Sequence, residues 1–380
     1  MNVQVCCSID SIPAAEWNHL AGNNPFVRHA FLAALEHSGC ACTNTGWTPL
    51  HLTCTTADGH LTGALPLYLK THSYGEYVFD WSWADAWQRA GIAYYPKLVA
   101  AVPFSPVSGP RLLLEQSAAG REAAAPLINK AHEILSDRGA SSIHCLFPYV
   151  DELHYWQSQN YMLRKDCQFH WHNHGYKEFG DFLGVLSAEP RKKIKRERRR
   201  VTEAGIDHRI YRGSELDDQL LDVLFRNYQA TYLKRTQTPY LNRAFFAEIA
   251  ATMPDSLVTI FAYQLDKPVA CAILFRNAET LYGRHWGSES DFNSLHFETC
   301  YYQGIEYCIQ ENLQHFNPGT QGVHKLTRGF EPTVTHSLHW IAEPAFRDPI
   351  ADFLRQEASM IDAYMLEAKQ LLPFRIQSRQ

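Results

Sequence analysis

The alternation of hydrophobic and polar positions in the first half of the chain predicts a short series of helices and strands. Apolar residues recur at helical spacing in 25–37, and 50–69 alternates as two strands around an Asp58-Gly59 turn. An amphipathic pattern in 121–138 predicts a second helix, and the apolar run 142–147 predicts a short buried strand. This order is typical of an α/β or α+β unit.

The second half of the chain shows a similar pattern. Helical spacing predicts three helices: 217–233, 243–253 and 350–372. Alternation and turn residues predict three strands: 257–265, 268–275 and 280–286. A further strong helical pattern covers 294–313, where Ser294 is placed to cap the helix. We therefore predict two mixed domains, 1–168 and 169–380, although no residue-level repeat is visible.

A strongly basic helix is predicted between the two halves, in 187–205. Eight of the ten residues in 191–200 are Lys or Arg, Pro190 suits a helix start, and Gly205 suits its end. Like charges one helical turn apart repel, so something must make the clustering tolerable. Three interpretations stay open: a solvated helix face, a face that binds the phosphates of a nucleotide, coenzyme or RNA, and a nuclear-localisation type of signal.

Composition limits the classes of function. The 380 residues are 46% hydrophobic and 20% charged, which is ordinary for a globular protein of two domains. The net charge of -5 argues against a dedicated nucleic-acid binder, so we expect no DNA partner, and any RNA contact must be local. No apolar run approaches a membrane span, and the N-terminal segment lacks the pattern of a signal peptide. We expect a cytoplasmic protein.

The ten cysteines are scattered without metal-type spacing. Cys40 and Cys42 form a Cys-x-Cys pair, but they lack a second pair or a His-x-His partner. Buried free thiols are therefore favoured over metal ligands, and we predict no metal site. Such thiols fit a reducing compartment.

Polar residues are concentrated where a predicted strand meets a predicted helix, in 281–306. This stretch contains Arg284, His285, His296 and Glu298, where an apolar run alone would satisfy a core. The concentration suggests a functional site. For His285 the alternative is a hydrogen-bonded core histidine, and for Glu298 it is stabilisation of the start of its own helix.

Two further segments have unusual composition. In 74–87, aromatic faces beside Asp80 and Asp85 suit a cationic or amino-bearing substrate, and the alternative is a core aromatic cluster with two surface acids. In 324–330, two cations and a histidine follow a Gly-rich turn, which suits an anionic ligand, and the alternative is surface decoration. The chain lacks a Gly-x-Ser-x-Gly elbow, a Walker loop, a Gly-x-Gly-x-x-Gly motif and a His-Glu-x-x-His motif.

Seven segments, spread over most of the chain, are those of a recognisable family. They are GALPLYLKTHSYGEYVFDWSWADAW from Gly63, YYPKLVAAVPFSPVSGPRLL from Tyr94, QFHWHNHGY from Gln168, RKKIKRER from Arg191, LYGRHWGSE from Leu281, LHFETCYYQGIEYCI from Leu295 and HKLTRGFEP from His324. In these segments the chain resembles the FemAB-like predicted N-acyltransferases, a family labelled for peptidoglycan biosynthesis or recognition.

The resemblance implies a fold and a reaction. The fold is a tandem pair of GNAT-like acyl-CoA N-acyltransferase domains, with mixed α/β sheets flanked by helices. The reaction moves an acyl or aminoacyl group to an amine, either a small molecule or a peptide such as a cell-wall precursor. Acyl-CoA or aminoacyl-tRNA is the implied co-substrate, with no tightly bound cofactor and tRNA as a possible partner. The usual acyl-CoA signature is missing before Ser294, so the donor stays open.

Candidate roles follow from this resemblance. His285 and Glu298 are the candidate proton acceptors, since imidazole titrates near neutral pH and Glu298 lies near the first turn of the central helix. The acceptor substrate would be bound by Tyr77, Asp80, Trp81, Trp83, Asp85 and His296. The donor or its phosphates would be bound by Arg284, Lys325 and Arg328, with Arg191, Lys192 and Lys195 as accessories.

A different class of function also fits the resemblance. A non-catalytic module could recognise a peptidoglycan peptide or muropeptide with the same cleft, since a fold alone does not settle function. Such a module would bind its ligand and form no product with any donor. The acceptor, the oligomeric state and the number of working clefts stay open.

Overall fold

The structure is a computed structural model that describes residues 1–290, 292–320 and 322–375. The chain forms two compact units. The first comprises Met1–Asp166 and Val334–Ile361, and the second comprises Cys167–Thr333 and Asp362–Gln380. The sequence-based boundary assigned all of 169–380 to the second domain, whereas the contacts of Val334–Ile361 are with the first unit. That 1–168 and 169–380 are separate domains stays a prediction.

The elements follow one another along the chain as a mixed α/β series. The strands are β1 (Asn2–Cys6), β2 (Trp47–Pro49), β3 (His51–Thr55), β4 (Leu61–Leu65), β5 (Leu67–Lys70), β6 (Lys97–Ala100), β7 (Leu113–Leu114), β8 (Ser142–Leu146), β9 (Met162–His172), β10 (Ile206–Arg212), β11 (Leu257–Gln264), β12 (Lys267–Arg276), β13 (Thr280–Ser288), β14 (His315–Asn317) and β15 (Glu331–Ile341). The helices are α1 (Ala14–Ala21), α2 (His29–His37), α3 (Trp81–Arg89), α4 (Ala118–Arg138), α5 (Leu153–Gln157), α6 (Phe179–Val185), α7 (Ala188–Glu203), α8 (Asp218–Leu233), α9 (Arg243–Thr252), α10 (Leu295–Phe297), α11 (Gln303–Gln310) and α12 (Pro344–Gln370).

The first unit contains a parallel strand pair joined by a long helix. One sheet has the order β1-β3-β4-β7, and a second has the order β15-β8-β6-β5-β2. Strands β6 and β8 are parallel, and α4 lies between them in the sequence. The Ser117 hydroxyl caps α4 by accepting from the Gly120 N–H at 3.0 Å, and Gly139 ends the helix at a φ of 59°. The apolar face of α4 packs into the core of this unit.

The second unit repeats this arrangement around a longer antiparallel sheet. Its strand order is β10-β11-β12-β13-β14-β9. Strands β10 to β13 are antiparallel, whereas β14 is parallel to β13 and pairs with it only at Thr280–Tyr282. Among the described residues, the rest of β13 pairs with β12 alone, so β13 and β14 part after Tyr282. α10, a π-helical turn at Glu298–Tyr302 and α11 follow β13.

Most predicted elements are present, with two informative differences. The stretch 50–69 forms three strands instead of two, because Pro66 separates β4 from β5. The helix predicted at 294–313 is divided by the π-helical turn, and Ser294 does not cap it. Ser294 has a φ of 70°, and its hydroxyl donates to Asn293 Oδ1 at 2.9 Å, so that prediction was wrong.

Two other features bear on the predictions. The basic segment is helical over Ala188–Glu203, and Gly205 follows it at a φ of 69°. Within the part of the chain that the structure describes, no helix is both long enough and apolar enough to cross a membrane.

Candidate functional site

A buried lysine lies near the point where β13 and β14 part. Lys325 sits in the 3-10 turn Val323–Arg328 and is 1% exposed. Its ammonium donates to the Gly319 carbonyl at 2.6 Å, and Nζ lies 5.9 Å from the centre of the Tyr301 ring. Burial, followed by the positive charge of Arg284, lowers the pKa of Lys325 to about 7. Lys325 can therefore gain or lose a proton near neutral pH.

Arg284 owes its position to a bulge in β13. Ile273 of β12 pairs with His285 and the next residue, Leu274, pairs with Gly283, so Arg284 is the extra residue of the bulge. Besides Lys325, its charge contributes to a lowered pKa at His170 of β9. The bulge thus brings a cation to the site of the buried lysine.

A group of aromatic and imidazole side chains adjoins Lys325. The His296 ring lies 5.3 Å from the ring of Tyr301 and 5.4 Å from that of Trp286. The Tyr301 hydroxyl and His324 Nε2 are hydrogen-bonded at 3.0 Å. Burial, with smaller contributions from the charges of His324, Lys325 and Arg328, lowers the pKa of His296 to about 4. His296 is therefore neutral at pH 7.

A cavity of about 350 Å³ opens at the carboxyl end of β13. It is lined by Thr231, Lys234, Arg235, Trp286, Ser288, Ser290, Phe292, Leu295 and His296. Its aromatic and hydroxyl groups suit a partly apolar ligand, and two of its lining residues are cations. Among the described residues of the lining, none is acidic. His296 belongs both to the cavity lining and to the Lys325 group, which comprises Lys325, Arg284, His296, Tyr301 and His324.

Glu298 has different neighbours from the Lys325 group. It is 3% exposed, and its Oε1 accepts from Arg198 Nε at 3.2 Å and from Gln303 Nε2 at 2.8 Å. Within the described chain its buried Oε2 has no hydrogen-bond partner. Burial raises the pKa of Glu298 even though Arg198 opposes the shift. Its role as proton acceptor stays a prediction.

His285 packs in an aromatic environment. Its ring lies 4.9 Å from Tyr228 of α8 and 6.3 Å from Phe246 of α9. Burial, then the charge of Arg284, lowers the pKa of His285 to about 3. An imidazole with this pKa is neutral at pH 7 and has little affinity for a further proton. The structure gives the two predicted proton acceptors separate sets of neighbours.

Arg328, predicted to bind the donor, is instead engaged inside the second unit. It is 2% exposed, and its Nη2 contacts both carboxylate oxygens of Glu197 at 2.8 and 2.9 Å. Its Nε donates to the Tyr302 hydroxyl at 2.8 Å. A buried ion pair of this kind stabilises the fold. The donor-binding role of Arg328 stays a prediction, because all three nitrogens of its guanidinium already have partners inside the unit.

The basic helix α7 has a buried face and an exposed face. Ile194, Glu197 and Val201 are buried, whereas Lys192 and Lys195 are exposed and Arg191 is half-buried. Lys192 Nζ lies 3.1 Å from Glu189 Oε1 in an exposed ion pair of little energetic weight. The accessory donor-binding role of the three predicted cations stays a prediction.

Asp80, predicted to face the acceptor, lies in a buried ionic network of the first unit. Lys97 Nζ contacts Glu76 Oε2 at 2.8 Å and also pairs with Asp80. The Tyr94 hydroxyl donates to Asp80 Oδ2 at 2.6 Å. Burial would raise the pKa of Asp80, but Lys97 outweighs it and holds the pKa at about 2. The substrate-binding role of Asp80 stays a prediction, and its carboxylate already has an internal partner.

The other aromatic-segment candidates are divided between core and surface. Trp83 is buried, with its ring 4.9 Å from that of His339. Trp81 and Asp85 are exposed on α3, and Tyr77 is half-buried with a φ of 61°. The segment therefore combines the two interpretations left open by the sequence, and these substrate-binding roles stay predictions.

The structure brings together only part of the predicted site. Arg284, His296 and Lys325 share one region of the second unit, whereas His285, Glu298 and Arg328 each have other partners. Sequence reasoning missed the cavity cations Lys234 and Arg235, which carry no motif. It also missed that Lys325 is buried, because a single lysine beside Leu326 is expected to be exposed unless the conformation of the 3-10 turn is known.

A sequence profile of the FemAB-like family, described as peptidoglycan biosynthesis/recognition, matches residues 8–376. FemX shares 11% identity over 92% of this chain and 100% of its own, with a TM-score of 0.55. A C-terminal domain assigned to lysylphosphatidylglycerol synthetase in Agrobacterium fabrum shares 9% identity over 92% of this chain and 95% of its own, with a TM-score of 0.53.

A tandem GNAT protein from the clavulanic acid biosynthesis pathway shares 10% identity over 90% of this chain and 99% of its own, with a TM-score of 0.47. No curated protein sequence matches the chain. FemX shares the fold of this chain over nearly its whole length, so the predicted α/β fold, with mixed sheets flanked by helices, is confirmed. The match over nearly the whole sequence shows that the chain belongs to the FemAB-like family of peptidoglycan biosynthesis/recognition.

Proposed function

We propose that the protein transfers an acyl or aminoacyl group to an amine at the cavity beside β13. The amine nitrogen attacks the carbonyl carbon of a CoA thioester or of an aminoacyl-tRNA ester. A C–N bond forms and the C–S or C–O bond breaks, while the amine loses a proton and the leaving sulfur of coenzyme A or ribose oxygen of the tRNA gains one. The site must therefore accept that proton and hold both substrates close together.

The observation that carries this proposal is the Lys325 group beside the cavity. A proton acceptor works best when its pKa lies near the working pH, and Lys325 has a pKa of about 7. His285 and His296 titrate well below that range. We therefore assign proton uptake to Lys325. Arg284 stabilises negative charge on the reacting carbonyl oxygen.

The cavity indicates the kind of substrate. A volume of about 350 Å³ is at the lower end of small-molecule sites, so it holds the reacting part of a substrate. Lys234 and Arg235 suit an anionic group, and Trp286 and Phe292 suit an apolar portion. The family description makes a peptidoglycan precursor with a free amine the acceptor class to try first.

Two donors are compatible with this proposal and define two arms of the test, an acyl-CoA and an aminoacyl-tRNA. Coenzyme A would bind in a saturable manner through its phosphates, whereas an aminoacyl-tRNA would bind with strong dependence on salt. Reversing the exposed charges of α7 with Lys192→Glu and Lys195→Glu separates the arms. It should abolish tRNA binding and leave coenzyme A binding unchanged if the exposed face of α7 binds RNA.

The proposal can be tested by measuring donor binding first and the formation of an acylated amine second. Calorimetric titration with coenzyme A, acetyl-CoA and an aminoacyl-tRNA, at low and physiological salt, identifies the donor. Mass spectrometry with that donor and peptidoglycan-type amines then looks for an acylated product. Lys325→Met should lower turnover by about 10²–10⁴-fold, the usual contribution of a positioned acid or base.

The control is Lys267→Met, which removes an exposed lysine of the same unit. It should leave turnover unchanged. Full activity in Lys325→Met would overturn the assignment of Lys325. A ligand that binds to the wild-type protein without product formation from any donor would support a recognition module instead.

A further inference from the structure

Arg328 connects four separate parts of the second unit. Its guanidinium contacts Glu197 of α7 and the Tyr302 hydroxyl of the π-helical turn, and lies 3.6 Å from the centre of the Phe297 ring of α10. Its Nη1 donates to the His324 carbonyl at 2.8 Å. The Tyr302 hydroxyl also donates to Glu197. The arginine is thus held by ionic, polar and aromatic contacts at the same time.

These contacts fix the turn that carries Lys325. The His324 carbonyl belongs to the peptide bond that joins His324 to Lys325, so the guanidinium holds the backbone directly before the lysine. The guanidinium also donates from Nε to the hydroxyl of Tyr302, which follows Tyr301 in the π-helical turn. π-helical turns are frequent at functional sites. Here the turn places the Tyr301 ring near Lys325 Nζ.

We propose that Arg328 is a positioning residue, which pins the turn Val323–Arg328 against the π-helical turn and α7 so that Lys325 stays shielded from water. The inference rests on the proposed function only for its consequence in catalysis. Its physical content, the shielding of Lys325 by the Arg328 contacts, can be measured without any substrate.

Several charged or titratable groups surround Lys325 and set the background for this effect. They are Arg284 on β13, His170 on β9, His296 on α10, Cys300 and Tyr301 on the π-helical turn, and His324 on its own turn. Burial is the main cause of the lowered pKa of Lys325, ahead of Arg284. Loosening the turn should therefore raise that pKa, because water would stabilise the ammonium form.

The experiment follows the ionisation of Lys325 by NMR in protein labelled with ¹³C and ¹⁵N at lysine. The Lys325 signal is assigned by its loss in Lys325→Met. Arg328→Lys keeps the positive charge but loses the planar fork that reaches several partners. It should raise the pKa of Lys325 by about 1 pH unit or more toward the usual lysine range. Tyr302→Phe is a milder variant and should raise it less.

A matched control exists at α11, the helix that follows the π-helical turn. Arg276 Nη1 donates to the Tyr307 hydroxyl at 3.0 Å and to Glu311 Oε2 at 2.6 Å. Arg276→Lys and Tyr307→Phe remove contacts of the same chemistry at a site that does not hold the turn of Lys325. Both should leave the pKa of Lys325 unchanged.

The outcomes separate this inference from the proposed function. A shift in Arg328→Lys or Tyr302→Phe, with none in the two controls, supports the positioning role even when no acyl transfer is found. An unchanged pKa of Lys325 in both folded variants, or an equal shift in the controls, overturns it even when the wild-type protein is active. Where acyl transfer is found, the acidic limb of its pH profile should move with the measured pKa.

Discussion

The two units each bury a lysine, and the two lysines differ in charge state. Lys97 in the first unit contacts Ser73, Glu76 and Asp80, and its pKa is raised because the two carboxylates outweigh the effect of burial. Lys325 in the second unit bonds to a backbone carbonyl, and burial lowers its pKa to about 7. Burial is therefore not what decides whether a lysine keeps its proton. The partner decides it.

A third lysine supports this comparison from within the first unit. Lys70 lies 3.7 Å from the centre of the Trp47 ring and donates to the Tyr74 carbonyl at 3.2 Å. Burial lowers its pKa to about 7, although Glu76 opposes the shift. An aromatic face and a carbonyl thus stabilise a buried ammonium less than two carboxylates in direct contact do.

The largest expected difference between the units is in stability. Lys97→Met leaves the Asp80 carboxylate buried without its cation, so we expect the free energy of unfolding to fall by about 3–5 kcal/mol. Lys325→Met leaves no paired carboxylate behind among the described residues and removes a lysine whose burial is unfavourable, so we expect no loss of stability. Urea denaturation at pH 7.5 measures both. Equal losses in the two variants would remove the distinction between them.

The next prediction concerns the pH dependence of turnover. Only the neutral form of Lys325 can accept a proton, so turnover should rise about tenfold per pH unit below pH 7 and level off above it. The residual activity of Lys325→Met should lack this limb. A wild-type profile that stays flat from pH 5.5 to 8 would contradict the assignment of Lys325 as proton acceptor.

The lowered pKa of Lys325 also predicts how the stability of the protein depends on pH. Its pKa is lowered in the folded state, so above pH 7 the unfolded chain binds one more proton at this residue than the folded chain. Between pH 7 and 9, the stability of the wild-type protein should therefore rise relative to Lys325→Met by about 1.4 kcal/mol per pH unit at most. Lys97 contributes no such slope there, because its raised pKa keeps it charged in both states. A difference independent of pH would show that Lys325 keeps its proton.

The sequence predicts the fold much better than it predicts these charge states. Periodicity locates elements such as α4 and β11 to β13, because local spacing follows which face of an element is buried. It gives no sign of the bulge at Arg284 or of the π-helical turn, since both arise from how neighbouring elements pack. Arg328 and Lys325 belong to one motif, yet one is held in an ion pair and the other is shielded. That difference depends on Glu197, which lies 131 residues away from Arg328.

The smallest expected effect separates the two carboxylates that hold Lys97. Burial raises the pKa of Glu76 to about 7, against the pull of Lys97, whereas the pKa of Asp80 is held at about 2. At pH 7 Asp80 therefore carries a full negative charge, whereas Glu76 carries about half of a negative charge. Asp80→Asn should lower the free energy of unfolding by about 2 kcal/mol, as expected for a hydrogen bond to a charged group, and Glu76→Gln by less than about 1 kcal/mol. Urea denaturation at pH 7 compares the two variants, and raising the pH to 8 should bring their losses closer because Glu76 then becomes fully charged. If Glu76→Gln were the more damaging of the two, Glu76 would be the main partner of Lys97, and the comparison between the buried lysines would rest on a different carboxylate.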